Sequence, residues 1–422
     1  YAVPDRDTAE YSEASPFATT EEQERAIRHG LPSERVDGAS IGPSLIIAGP
    51  GTGKTRTLAL KIACLIREGG IDPYSILALT FAVKAAEEMS ERIGRAAQRV
   101  TALTFHAFGR AFLAEYHALA SRTEGFSILT DVERARLCEE AASCTKGVNG
   151  GSVDSKLLSR SITLCKQKLR SPSDLPQDDR LQRGYAMYEK LLIERNAFDF
   201  DDLVFHPVLI LMQHREILHD LQARYTHLFV DEYQDVNEAQ YTLVRLLAPD
   251  AHSSLCVIGD PDQAIYGFRG ADPRFIGQFL SDYPGASVFK PSTSFRCPQS
   301  VISAAQDVIG NRGLTAVKKS EPVGRVSHPT DKSEAEWIAR RIEQMTGGMR
   351  FFSTDSGVAS GEGEDYSLKD FAILVRLTAQ MEALEKALTD HGIPYQKVGD
   401  DSWASTGPMP ALCALLNLID DP

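Results

Sequence analysis

The sequence predicts an α/β fold organised on a parallel sheet, and three observations carry that expectation. Short apolar runs alternate with segments whose apolar residues recur at helical spacing, as in Leu58, Ile62, Leu65 and Ile66. Two later runs, His227-Leu228-Phe229-Val230-Asp231 and Ser254-Leu255-Cys256-Val257-Ile258-Gly259-Asp260, have continuous apolar interiors and end on a carboxylate, the pattern of central strands covered on both faces. A third run, Ser44-Leu45-Ile46-Ile47, enters the glycine-rich loop Ala48-Gly49-Pro50-Gly51-Thr52-Gly53 and then a helix beginning at Lys54-Thr55.

Residues 1–18 read as irregular. Thr19-Thr20-Glu21-Glu22-Gln23 then opens a capped helix, with hydroxyl residues followed by Glu and an apolar face through Ala26 and Ile27. The helix after the loop runs until Gly69-Gly70. Ile76 to Thr80 reads as a buried strand leading through Phe81 into a helix from Lys84 to Ile93, and Val100 to His106 as a second strand-like piece. Between about 113 and 198 the β signals vanish. Helical patterns at Val132–Ala142, Ser155–Leu169 and Leu181–Arg195 replace them, separated by a Gly-rich loop at 147–151 and a Pro-containing one at 171–176, and together they predict a helical insertion. After the two carboxylate-ended strands a second α/β unit is expected: a helix near 334–346, a strand at Phe371–Val375, a helix at 379–390 and a short strand after Ile393-Pro394-Tyr395. Ser353 to Ser367, rich in Gly, Ser and acidic residues, reads as a mobile surface loop. The expected division is 1–112, 113–198, 199–290 and 291–422.

A chain of 422 residues is long enough for about three domains. Its formal net charge of -13 excludes a surface coated in basic residues, so nucleic-acid binding has to be local and groove-like. The seven cysteines (64, 138, 144, 165, 256, 297, 413) are scattered without a Cys-x-x-Cys pair, which points to a reducing cytoplasm rather than to zinc or a redox site. No apolar run is long enough to span a membrane, and the acidic start lacks the regions of a signal peptide, so a soluble intracellular protein is expected. Position 1 is Tyr rather than Met, and the expectation is a piece of a longer polypeptide.

The glycine-rich loop carries a mechanism. Gly49, Gly51 and Gly53 leave backbone N–H groups open to an anion, and the following helix adds a positive dipole end. Lys54 then reaches the outer phosphates of a nucleotide, and the Thr55 hydroxyl ligates magnesium. The strict pattern wants glycine where Ala48 stands, so a Gly-rich turn in an unrelated α/β domain is the competing reading. Asp231, at the carboxyl end of its strand, is the expected metal partner, and Glu232 is placed to orient and deprotonate an attacking water.

Several ordered segments also carry a family resemblance. Asp231-Glu232-Tyr233-Gln234-Asp235 and Ile258-Gly259-Asp260-Pro261-Asp262-Gln263-Ala264-Ile265-Tyr266-Gly267-Phe268-Arg269-Gly270-Ala271 resemble signature segments of the UvrD, Rep and PcrA group of superfamily 1 helicases. Thr80-Phe81-Ala82-Val83-Lys84, Thr104-Phe105-His106-Ala107-Phe108, Phe198-Asp199-Phe200-Asp201-Asp202-Leu203 and Ser294-Phe295-Arg296 match further motifs in the family's order, and the resemblance runs from about Gln23 to the end. It implies a P-loop NTPase with RecA-like lobes, the second one partial. ATP and Mg2+ are the implied cofactors, single-stranded DNA and 3′-tailed duplex DNA the implied partners, and the implied activity is a helicase or translocase moving 3′ to 5′. A helicase-nuclease subunit, or a nucleotide-dependent DNA remodelling or scaffold protein without unwinding, stays open beside it.

By resemblance, Gln23 reads the adenine edge, for which an amide offers both donor and acceptor, or else is an exposed helix residue. Phe295, where the family usually has Tyr, stacks on the base. Arg296 is directed at the γ-phosphate, or else is a surface ion-pair partner. Gln263 senses between nucleotide and DNA, or else only ties its loop together. Arg56 is a weaker phosphate candidate, or else an ordinary exposed helix position. Phe81, Tyr266 and Phe268 are stacking platforms for single-stranded DNA, or core aromatics. Thr104 and His106 hydrogen-bond DNA backbone, or His106 is a satisfied structural histidine. Ala82-Val83 departs from the family's usual Thr-Asn. The basic clusters Arg92, Arg95, Arg99 and Lys166, Lys168, Arg170 either neutralise phosphates or are solvated helix faces. No catalysis is assigned to Asp199, Asp201 and Asp202. The family's later motifs, including a further arginine finger worth on the order of 10³ to 10⁵ in rate, have no counterpart before Pro422. Nucleotide binding without efficient unwinding is therefore expected of residues 1–422 alone, and a strand-displacement assay checks it.

Overall fold

The computed structural model describes residues 19–31, 42–94, 99–145, 153–176, 180–310, 313–318, 322–346 and 366–398, with positions 409 and 412. The irregular start at 1–18, the Gly-rich loop at 147–151, Arg95 and nearly all of the loop expected at 353–367 lie outside the described residues. The chain divides into two compact units, Tyr1–Val323 and Gly324–Pro422.

In the first unit, α1 (Glu21–Arg28) starts where Thr20 caps it, the Thr20 hydroxyl accepting from Gln23 N while the Gln23 side chain accepts from Thr20 N. Then follow β1 (Ser44–Ile47), α2 (Lys54–Arg67), β2 (Ile76–Thr80), α3 (Val83–Ile93) and β3 (Thr101–Thr104). The strand expected through His106 stops two residues earlier, because the Thr104 hydroxyl accepts from Ala107 N and starts α4 (Phe105–Tyr116).

The insertion contains β4 (Ser127–Ile128), α5 (Asp131–Ser143), α6 (Ser155–Gln167), α7 (Arg180–Glu194) and β5 (Ala197–Phe198), β4 and β5 pairing in parallel. It has a core of its own, in which Leu137, Leu158, Ile162, Tyr185, Tyr188 and Leu192 are buried together. The main layer resumes with α8 (Asp202–Gln213), α9 (Arg215–Arg224), β6 (His227–Val230), α10 (Glu238–Leu247), β7 (Ser254–Gly259), α11 (Arg274–Asp282) and β8 (Ser287–Phe289). A small parallel pair, β9 (Thr293–Ser294) and β10 (Thr315–Ala316), flanks α12 (Gln299–Ile309).

The main sheet has six parallel strands in the order β3-β2-β6-β7-β1-β8. Alternate residues feed two cores: Leu228 and Val230 pack with Phe108, Val204, Leu243 and Phe279 on one face, and Phe229 and Ile258 with Leu58, Ile62 and Met89 on the other. Because all the strands run the same way, the loops after β1, β2, β3, β6 and β7 emerge at one edge, and the candidate residues gather there.

In the second unit, α13 (Asp331–Met345) packs on α14 (Met381–Asp390) through Ala335, Ala339, Ile342, Ala387 and Leu388. The expected strand at Phe371–Val375 does not form: the segment has no neighbouring strand among the described residues, and a strand exists only with a ladder partner. The short strand expected after Ile393-Pro394-Tyr395 falls mostly at positions from 399 on, which lie outside the described residues.

Candidate functional site

The loop between β1 and α2 takes its shape from two left-handed glycines, Gly51 (φ 73°) and Gly53 (φ 82°). Gly53 caps α2 without a side chain, so the helix opens onto its own N–H groups. Thr52 is buried, and its hydroxyl donates to the Gly49 carbonyl at 2.8 Å. Segment 294–296 leans on the loop: Ser294 Oγ donates to Pro50 O at 2.9 Å and Phe295 N to Gly51 O at 2.9 Å. A Cβ at position 51 would meet Ser294 Oγ at 2.5 Å and Arg296 Cβ at 2.8 Å, so the close approach itself demands glycine. Phe295 is half-buried and Arg296 exposed, both beside the loop tip.

Across the loop, Thr55 Oγ1 donates to Asp231 Oδ2 at 3.1 Å. Asp231 is 1% exposed, and burial together with the charge of Glu232 pushes its carboxyl up to about 6. Glu232 sits in the left-handed region (φ 50°), unusual for a residue with a side chain. The residues close into a ring. Lys54 Nζ donates to Gln263 Oε1 at 3.3 Å and lies 3.9 Å from Glu232 Oε2. Gln263 Nε2 donates to Asp260 Oδ2 at 2.6 Å, Asp260 N to Gln234 Oε1 at 2.9 Å, and Gln234 Nε2 to Glu232 Oε2 at 2.8 Å. Asp235, which also accepts from Gln234, is pushed up to about 6 by burial and by Glu232. The donor set fits a phosphate beside a divalent cation: N–H groups at a helix start, a lysine among acceptors, and a buried carboxyl whose ionisation a cation would favour.

Gln23 is 1% exposed, not an exposed helix residue. Its Nε2 donates to Thr52 O at 2.8 Å and to Thr57 Oγ1 at 3.3 Å, so a base reading this amide has to take over one of those hydrogen bonds. Arg56 is half-buried in the first turn of α2, its guanidinium lowered by burial and by Arg92.

The three aromatics form a row. Phe81 stacks on Tyr266 (centroids 5.0 Å, 30°), Tyr266 lies 6.1 Å from Phe268, and Phe268 is 79% exposed. The Thr104 hydroxyl oxygen accepts from Ala107 N in the α4 cap, and a hydroxyl that accepts can still donate. His106 stacks on Phe200 at 3.9 Å and 21°, and burial lowers its ring to about 4, so it meets any phosphate as a neutral group. Its folded value lies below the unfolded 6.5, so the unfolded chain binds more protons between pH 6.5 and 4, and stability is lost as pH falls through that window. The loss in unfolding free energy from urea titrations between pH 7 and pH 5 is expected to be smaller for His106→Phe than for the parent, by roughly 1 to 2 kcal/mol.

Of the expected basic clusters, Lys168 and Arg170 are exposed but Lys166 is not, which corrects its reading as a phosphate-neutralising group. It is 1% exposed, donates to Asp199 at 2.9 Å and is ion-paired with Glu189 (2.9 Å) and Asp202 (2.6 Å), while Arg134 lies 3.7 Å from Asp199. Burial opposes ionisation of Asp199, but Lys166 and Arg134 outweigh it; burial and the Asp199 charge push Asp202 well up. Glu189, Asp202 and His206 approach metal-ligand spacing, yet the Lys166 ammonium already serves two of them as their cation.

Comparison with known proteins gives the chain a family. The profile described as UvrD/REP helicase N-terminal domain matches residues 33–284, and that of the UvrD-like helicase C-terminal domain matches residues 292–422. The chain belongs to the UvrD/Rep helicase family. It is 32% identical over 395 residues to the ATP-dependent DNA helicase PcrA of Staphylococcus aureus, covering 90% of this chain and 52% of that protein. It is 31% identical, with the same coverage, to the PcrA of Staphylococcus epidermidis. The chain thus spans about half the length of the curated relatives it matches. Its fold is the α/β P-loop NTPase architecture expected of this helicase family.

Reading the sequence alone left out Gln234 and Asp260, the two residues that close the ring, and Phe200, which covers His106. All three lie inside segments whose order carries the family resemblance, but only their contacts give them a task.

Proposed function

We propose that this UvrD/Rep-family chain binds ATP with Mg2+ and single-stranded DNA and couples ATP hydrolysis to 3′-to-5′ movement, opening 3′-tailed duplexes. One observation carries the reading. A single loop, Asp260–Gly270, places Gln263 against Lys54 and, three and five residues on, Tyr266 and Phe268 in the aromatic row. A change at the phosphate end is thereby linked through a few peptide units to the surface on which bases stack.

In this reading the loop N–H groups of 49–54 and Lys54 hold the phosphates, Thr55 and Asp231 hold the cation, and Gln23 and Phe295 contact the base. Bound Mg2+ would screen the phosphate oxygens and favour the ionised form of Asp231. Glu232, held by Gln234 and facing Lys54, is the group that accepts a proton from water. Arg296, at the loop tip, meets the outermost phosphate, with Arg56 a lesser contact. Thr104 and His106 add neutral DNA contacts. Among the described residues no helix is long and apolar enough to cross a membrane. The six described cysteines are free, which suits the cytoplasm we propose.

ATP turnover of the full-length protein with and without single-stranded DNA tests the reading. Strong stimulation is expected, and none would favour a scaffold. Phe268→Ala is expected to weaken DNA binding by about 1 to 3 kcal/mol and to lower DNA-stimulated turnover while leaving basal turnover near the parent value. An equal fall in both would make Phe268 structural.

A further inference from the structure

Lys61 lies on α2, two turns beyond Lys54, and is 3% exposed. Its ammonium donates to the Ala26 carbonyl at 2.8 Å and to that of His29, at the C-terminal end of α1. Among the described residues it pairs with no carboxylate. A buried ammonium without an anion is costly, and the groups that compensate it here are the carbonyls at the negative end of the α1 dipole.

Helix α1 has eight residues, too few to hold itself. It is bolted at two ends: Lys61 grips its last carbonyls, and Gln23 near its start grips Thr52 and Thr57. From the same first turn, Glu22 Oε2 accepts from Ser292 N at 3.1 Å and from Ser292 Oγ at 3.4 Å, three residues before Phe295. The helix therefore spaces the amide at 23 and the aromatic at 295 relative to the phosphate loop.

We propose that Lys61 is a positioning residue for base recognition: by clamping the C-terminal carbonyls of α1 it sets where Gln23 and, through the Glu22–Ser292 contact, Phe295 meet the purine. The inference rests on the reading of Gln23 and Phe295 as base contacts. The Lys61 ammonium is engaged with carbonyls of α1 rather than with the phosphate loop, so its loss should act on discrimination between bases rather than on phosphate binding.

The test is equilibrium titration of the full chain with a non-hydrolysable ATP analogue and its guanine counterpart, each with Mg2+. Lys61→Met keeps the volume and removes the donors. It is expected to weaken the adenine nucleotide about tenfold and the guanine one by less than about twofold. Gln23→Ala should give a similar selective loss, and the double variant no more than the larger single loss, because both changes act on one contact. Equal losses for the two nucleotides, fully additive losses, or an unchanged preference for adenine in Lys61→Met would each overturn the role of Lys61. If Gln23→Ala leaves the preference unchanged, the base-contact reading fails and the Lys61 role falls with it. If Gln23→Ala lowers it and Lys61→Met does not, the Lys61 role alone falls. Should Lys61→Met not fold, Glu22→Ala, a change at a half-buried position, carries the test with an expected loss of adenine preference of about threefold; no loss overturns the proposal.

Discussion

Lys54→Ala is expected to abolish measurable ATP turnover by the full-length protein, a fall of at least about 10²- to 10³-fold, comparable to the loss of a preorganised charge-stabilising donor elsewhere. The fold should survive. Lys54 opens a helix at the sheet edge, and its ammonium contacts Gln263 and Glu232 rather than the core, so the far-ultraviolet spectrum and the urea midpoint should stay close to those of the parent. Nucleotide affinity should fall as well. Without the ammonium the ring opens between Gln263 and Glu232, and the two acceptors lose the cation that faces both. Unchanged turnover in a folded variant would refute the assignment of the loop.

The second large effect is on stability and lies outside the nucleotide site. Lys166→Met removes the one ammonium that serves Glu189, Asp199 and Asp202. Taking one partner from a buried charge cluster typically costs about 3 to 5 kcal/mol, because the remaining charges stay buried without compensation. Lys166 is on α6 and Glu189 on α7, both in the insertion, whereas Asp202 begins α8 in the main layer, so the cluster is the polar joint between them. Urea unfolding should show the loss. Native-state hydrogen exchange should place it first in α6 and α7, since local opening follows the weakest joint. A loss within the range of surface substitutions, below about 0.5 kcal/mol, would mean the cluster is as stable without its lysine.

The candidate site was legible in the sequence where its chemistry is local. The phosphate loop is a run of consecutive residues whose backbone shape follows from its glycines, and Asp231 and Glu232 announce themselves by ending an apolar strand. Alternation of strands and helices was enough to predict a parallel sheet, and a parallel sheet brings the loops after its strands to one edge. What the local pattern misjudged were residues whose task depends on a distant partner. Lys166 looks like any lysine on a helix face until Asp199 and Asp202 fold against it. The segment Val100–His106 reads as one strand because its residues favour strands, and only the Thr104 hydroxyl, capping Ala107 N, turns its last two residues into helix. Phe371–Val375 carries strand composition but has no neighbour in the described residues to make a ladder.

The sequence by itself determined the family: the order of its motifs, the glycine-rich loop after β1, the carboxylates that follow β6 and β7, and the aromatic-bearing loop that holds Gln263. Those are properties of short segments, and short-range sterics and hydrogen bonding decide them. The tertiary structure decided which of these groups hold one another. It closed Lys54, Gln263, Asp260, Gln234 and Glu232 into a ring, buried Gln23 and Lys61 at the two ends of α1, and set Ser294-Phe295-Arg296 on the tip of the phosphate loop. Each of those contacts joins residues far apart in the chain, and burial strengthens them by removing the water that would otherwise compete for every donor and acceptor.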